Sequence, residues 1–152
     1  SYKNRGWTEY ASRNFMIGRH IAKMYEKIKD PILLNLRYRI SGIDSNEIFP
    51  QTLPDFYRGA EFTLYGKYKD EDEFSLQLLG DTEEETNEFI VVGSLESAAK
   101  GDKNIARNWA FNKIYYLIGL LDGRRNQALI EEINRLCAKF NIKTPYTEGI
   151  KE

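Results

Sequence analysis

One histidine and one cysteine bound the chemistry open to this 152-residue chain. His20 is the only imidazole available as the base of a nucleophilic triad. No nearby residue in the sequence stands out as the orienting partner such a base needs. His20 falls beside an apolar helical stripe of Ile17, Ile21 and Met24, which reads as a boundary position. Cys137 follows Ile133 by one helical turn on another apolar stripe. A thiol there behaves as a small apolar side chain rather than as a thiolate. A single cysteine also excludes an intramolecular disulfide and a Cys-rich zinc site.

Carboxylates are more plentiful. Asp70, Glu71, Asp72 and Glu73 form one acidic run, and Glu83, Glu84 and Glu85 a second. Calcium needs about six to eight oxygens brought together by a shaped loop, and neither run has the spacing of an EF-hand. Both read as charged turns between strands. Gly59, Gly66, Gly80, Gly93 and Gly101 stand singly, so no glycine-rich cradle offers its backbone N–H groups to a phosphate. Nothing singles out a carboxylate pair for glycoside hydrolysis. Arg37, Tyr38 and Arg39 put basic and aromatic groups on one strand, as single-strand binders do. Alternation sends Tyr38 to the face opposite both arginines. Arg124 and Arg125 sit near the end of a helix, where cations are favoured electrostatically. The residues therefore nominate no catalytic, cofactor-binding or metal site.

The elements that would position these groups follow from periodicity. Ile17, Ile21, Met24 and Ile28 recur at helical spacing in a segment from about Tyr10 to Lys29, which Asp30-Pro31 ends. The period then becomes two: Leu34, Leu36, Tyr38 and Ile40 predict a half-buried strand. Residues Gly42 to Pro54 read as a loop. Phe62, Leu64 and Tyr68 predict a second strand, Phe74, Leu76 and Leu78 a third, and Phe89, Val91 and Leu95 a fourth. A helix capped by Asp102 or Asn104 carries Ala106, Trp109, Ala110, Ile114, Leu117, Ile118 and Leu121 on one face, and Asp122-Gly123 stops it. A second helix carries Leu129, Ile130, Ile133, Leu136, Cys137 and Phe140, and Lys143-Thr144-Pro145 breaks it.

The fold class expected is α+β: a sandwich-like antiparallel meander with an N-terminal helix and a C-terminal helical hairpin. Residues 1–30 form a helical segment and residues 31–152 the meander with its hairpin. Charged residues make up 30% and hydrophobic ones 41%, a globular balance. The net charge of −1 gives no draw toward nucleic acid. No apolar run approaches the ~20 residues of a bilayer span.

Several stretches resemble the part that follows the von Willebrand factor type A (VWA) domain in VIT/VWA proteins. That group includes inter-alpha-trypsin inhibitor heavy chains and many bacterial envelope proteins. Leu53-Pro54-Asp55-Phe56-Tyr57-Arg58-Gly59-Ala60-Glu61 is similar to the family's LPxLFxGxx pattern. Arg107-Asn108-Trp109-Ala110 with Ile114 is a second match. The helix Ile130 to Phe140, running into Asn141-Ile142-Lys143-Thr144-Pro145-Tyr146-Thr147, is a third, and Ile28 to Leu33 looks like the exit from the last VWA helix. Together they span about Ile17 to Thr147. The D-x-S-x-S motif that holds a divalent cation in VWA domains is missing, since Asp44-Ser45-Asn46 does not fit it, and so is the VIT region. The stretch after Thr147 lacks the apolar strand with which such proteins often continue, which leaves a sheet edge open.

The resemblance implies a structural role beside a VWA domain, an extracytoplasmic or envelope setting, and a protein partner: the rest of the parent chain or another subunit. The expected function is a non-enzymatic interaction module without cofactors. The alternative is a glycan- or extracellular-matrix-binding module using Tyr65, Tyr57 or Trp7. An enzyme built on His20 or a carboxylate pair ranks third.

Overall fold

Apolar residues of two periods, helical and alternating, converge on the loop that follows the first strand, and this loop joins the two halves of the molecule. The computed structural model describes residues 14–68, 73–96, 98–99, 101–102, 104–121 and 126–144. Helix α1 (Ile17–Ile28) follows a short 3-10 turn. Strands β1 (Pro31–Ser41), β2 (Phe56–Tyr57), β3 (Glu73–Asp81) and β4 (Thr86–Ser94) come next, and helices α2 (Asn104–Leu121) and α3 (Gln127–Phe140) close the order. The architecture is α+β, as expected. The strands form one curled antiparallel sheet of order β2-β1-β3-β4. That replaces the simple sequential meander, and the sheet is single rather than one half of a sandwich.

Two corrections explain the order. Phe62–Tyr68, expected as a strand, makes among the described residues a single isolated backbone bridge, in which Phe49 and Tyr65 exchange hydrogen bonds of 2.7 and 2.8 Å. Phe56–Tyr57, which alternation assigned to no strand, occupies the β1 edge instead. Phe62 and Leu64 still pack on the sheet core, whereas Tyr68 is exposed. The second correction lies within β1. Its pairing with β3 slips between Leu34 and Arg37, where Asn35 takes a left-handed conformation (φ 50°). The Asn35 N–H donates to Asp55 Oδ1 at 2.8 Å. The bulge turns Leu33 and Leu36 inward together and leaves Leu34 exposed, so strict alternation fails there.

Beyond the bulge the register is regular. Tyr38, Leu78 and Phe89 lie side by side across β1, β3 and β4, as do Ile40, Leu76 and Val91. Gly42 (φ 83°) turns the chain out of β1 so close to β3 that a Cβ would stand 2.2 Å from the Glu73 carbonyl oxygen. The acidic run Glu83, Glu84 and Glu85 falls, as expected, in the turn between β3 and β4, which spans Thr82–Glu85. There the Thr82 N–H donates to the Glu85 carbonyl at 2.8 Å.

The helices pack through Trp109, Ala110, Ile114, Leu117 and Leu121 of α2 and Ile133, Leu136 and Cys137 of α3. Ala106, expected on this stripe, is exposed. Asp102 caps α2, its carboxylate accepting from the Asn104 N–H at 3.2 Å. The Asp122-Gly123 stop lies outside the described residues. Helix α3 ends at Phe140, before the expected break. Asn141 (φ 51°) closes it in the left-handed conformation, donating its N–H to the Cys137 carbonyl.

Trp109 is 3% exposed and packs edge-on against Phe49, with ring centroids 6.1 Å apart. Its Nε1–H donates to the Glu47 carbonyl at 2.7 Å. Trp109→Ala is expected to cost about 3–5 kcal/mol in denaturant unfolding. Trp109→Phe keeps the packing but loses the hydrogen bond, at about 1–2 kcal/mol. Equal stability of Trp109→Ala and the parent chain would contradict the packing role.

Candidate functional site

The groups singled out in the sequence do not converge. His20 lies half-buried on α1, and Cys137 belongs to a different element, α3. Cys137 is buried in the helical core with its Sγ 3.8 Å from Thr144 Oγ1, an apolar surrounding with one hydroxyl. Asp70, Glu71 and Asp72 lie outside the described residues, as do Arg124, Arg125 and Trp7. Glu73 begins β3, while Glu83, Glu84 and Glu85 project from the turn into solvent. Among the described residues, His, Cys, Asp and Glu form no group of three or more able to hold a metal ion.

Alternation separates the groups on β1 as expected. Tyr38 donates its hydroxyl to the Pro50 carbonyl at 3.0 Å. Arg37, on the other side, forks onto the Asp81 carboxylate at 3.2 and 3.3 Å. The Asp81 carboxyl lies below its ordinary value, first because of Arg37 and then because Thr86 donates to it. Tyr57 and Tyr65 are half-buried, and Tyr65 packs on the helical core.

One polar cluster has no signature in the order of residues. The Glu47 carboxylate sits between Lys113 Nζ at 2.8 Å and Lys67 Nζ at 3.4 Å. Both ammonium groups also lie over the Trp109 ring, 5.0 and 3.6 Å from its centroid. Contributions of about 0.5–2 kcal/mol are usual for such contacts. The three charged residues are 66 or fewer positions apart but come from three separate segments, which no local spacing reveals. One carboxylate is shared by two ammonium groups, and the ion pair of Glu47 with Lys113 fastens the loop to α2.

What remains uncovered is apolar. None of the residues of α1 is buried, and Ile21 is 63% exposed. Arg19, Lys23 and Lys27 make that helix amphipathic and cationic. On the sheet, Ile40, Phe74 and Leu76 line a cleft of 540 Å3 with Ile48, Leu64 and Ile105, which Asp102 and Asn108 border. Cavities of about 300–1,000 Å3 accept small ligands or side chains of a partner. Phe89 and Val91 belong to the same sheet face through their register with Leu78 and Leu76, and both are exposed. The strand pattern placed these two inward; among the described residues no layer lies over β4 to cover them. Among the described residues no helix is long and apolar enough to cross a membrane.

No family model matches the sequence, and no curated protein matches it.

The paired carboxylates give a pH dependence with a definite sign. Asp81 and Glu132 both titrate below their ordinary values, held down by Arg37 and Arg135 respectively. A carboxyl lowered by folding stabilises the folded chain fully above its unfolded value, here 3.8 for Asp81 and 4.5 for Glu132, and ceases to do so as pH falls through the folded value. The Tm by circular dichroism is therefore expected to hold from about pH 6 to about pH 4.5 and then fall. Asp81→Asn should flatten part of that fall, and the difference should shrink in high salt because the pair is solvent-exposed.

Proposed function

We propose that this chain is a non-enzymatic interaction and scaffold module of a larger, VWA-containing adhesion-type protein. Its helix α1 is the contact with another domain of the parent chain or with another subunit. The observation that carries this reading is α1 itself: a regular amphipathic helix with no buried residue. Such a helix gains most of its stability from packing its apolar side, and Ile17, Ile21 and Ile28 have no counterpart within the described residues that buries them.

The stretches that resemble the post-VWA segment add support of a second kind. Leu53, Trp109, Ala110, Ile114, Ile142 and Thr144 are all buried, so the matching residues serve packing. Tyr146 and Thr147 lie outside the described residues. The remaining charged side chains in the core region, Glu47 and Lys113, are paired with each other.

The test is to titrate the chain with a VWA-type domain that carries D-x-S-x-S and to follow the mixture by sedimentation velocity. A complex is expected that persists in EDTA. Ile21→Glu should weaken it at least about tenfold, as truncation of an interface anchor does. Lack of a complex, or an unchanged affinity for Ile21→Glu, would remove the proposal.

A further inference from the structure

We infer that the free edge of β4 adds an extended, cation-bearing segment of a partner protein as a fifth strand of the sheet. β4 is the terminal strand in the order β2-β1-β3-β4, so among the described residues one side of its backbone has no neighbouring strand. Edge strands in folded proteins are normally guarded against such addition by proline, lysine, a bulge or short length. Thr86–Ser94 has nine residues, no proline, lysine or arginine, and an unbroken register with β3. Glu88 is the one charged side chain in the strand, and the other guards are missing from it.

The side chains match this backbone. Phe89 and Val91 are 47% and 54% exposed on one face of β4, while Ile90 and Val92 are 63% and 69% exposed on the other. An incoming strand would place its own apolar side chains beside them on both faces, where cross-strand aromatic and β-branched pairs are favourable.

Charge selects the partner. Residues 73–96 carry Glu73, Asp81, Glu83, Glu84, Glu85, Glu88 and Glu96 and no lysine or arginine. Arg37 answers Asp81. Glu88 accepts a hydrogen bond from Gln77, and among the described residues no ion pair reaches the other five. A second copy docked by the same edge would bring two hairpins of like sign together. A segment with an apolar centre and lysine or arginine toward both ends instead neutralises carboxylates at each end of β4. This extends the interaction-module reading to a second surface, and α1 has no part in it.

The test uses the full chain and two labelled synthetic peptides followed by fluorescence anisotropy. One has alternating valine and threonine flanked by lysine pairs, and the other has glutamate in place of lysine. The lysine peptide is expected to bind, and to weaken at least about threefold between low and physiological salt. The glutamate peptide should bind at least about tenfold more weakly. Ile90→Lys with Val92→Lys alters exposed positions only and should leave the circular dichroism spectrum intact while abolishing binding. Glu83→Gln, Glu84→Gln and Glu88→Gln together should keep the fold and flatten the salt dependence. Failure of the lysine peptide to bind, equal binding of both peptides, or unchanged binding by the double lysine variant would overturn the proposal. So would a dimer of the unmodified chain that the double lysine variant converts to monomer, since a second copy would then be the occupant. Ile21→Glu, which tests α1, should leave peptide binding unchanged, so the two proposals fail separately.

Discussion

The seat of Trp109 is the constraint on which the rest of the structure depends. Its indole donates to a backbone carbonyl of the loop after β1, its ring meets Phe49 from that loop and Phe140 from α3, and Lys67 lies over its face. A buried indole N–H without an acceptor is costly. The Glu47 carbonyl thus fixes where the loop must run, and with it the direction in which Phe49 and Leu53 point. The burial of a single large residue in α2 thereby orients a segment that touches both the helices and the sheet.

Charged groups near this seat are consumed in the same task. Glu47 joins Lys113 and Lys67, and Arg135 forks onto Glu132 one turn earlier in α3, while on the sheet Arg37 holds Asp81 at the end of β3. Of these, only the pair within α3 has the helical spacing that a reader of the chain can recognise. Cys137 follows the same logic from the apolar side, packed between helices with Thr144 as its polar neighbour.

The helices were legible because their apolar stripes have a period that survives packing: Ile114, Leu117 and Leu121 lie where the spacing puts them, and α2 and α3 pack through those faces. The sheet was less so. A left-handed Asn35 shifts burial from Leu34 to Leu33, and Phe62–Tyr68 alternates like a strand while the β1 edge goes to Phe56–Tyr57. Alternation reports that every second side chain is covered; it does not say which backbone supplies the ladder. Openness was hidden for a related reason. The stripe of α1 and the side chains of β4 look like any core-facing pattern until the fold shows that nothing in the described chain lies over them.

The loop after β1 has a consequence for cooperativity. Phe49 is embedded in the helical cluster and Leu53 in the sheet cluster, with only Pro50, Gln51 and Thr52 between them. Detaching the hairpin of helices would tug Leu53 from Leu33 and Leu36, and loosening the sheet would tug Phe49 from the indole. Slow amide exchange should therefore be shared by β1 and α2 as a single opening unit, with α1 exchanging independently and far sooner.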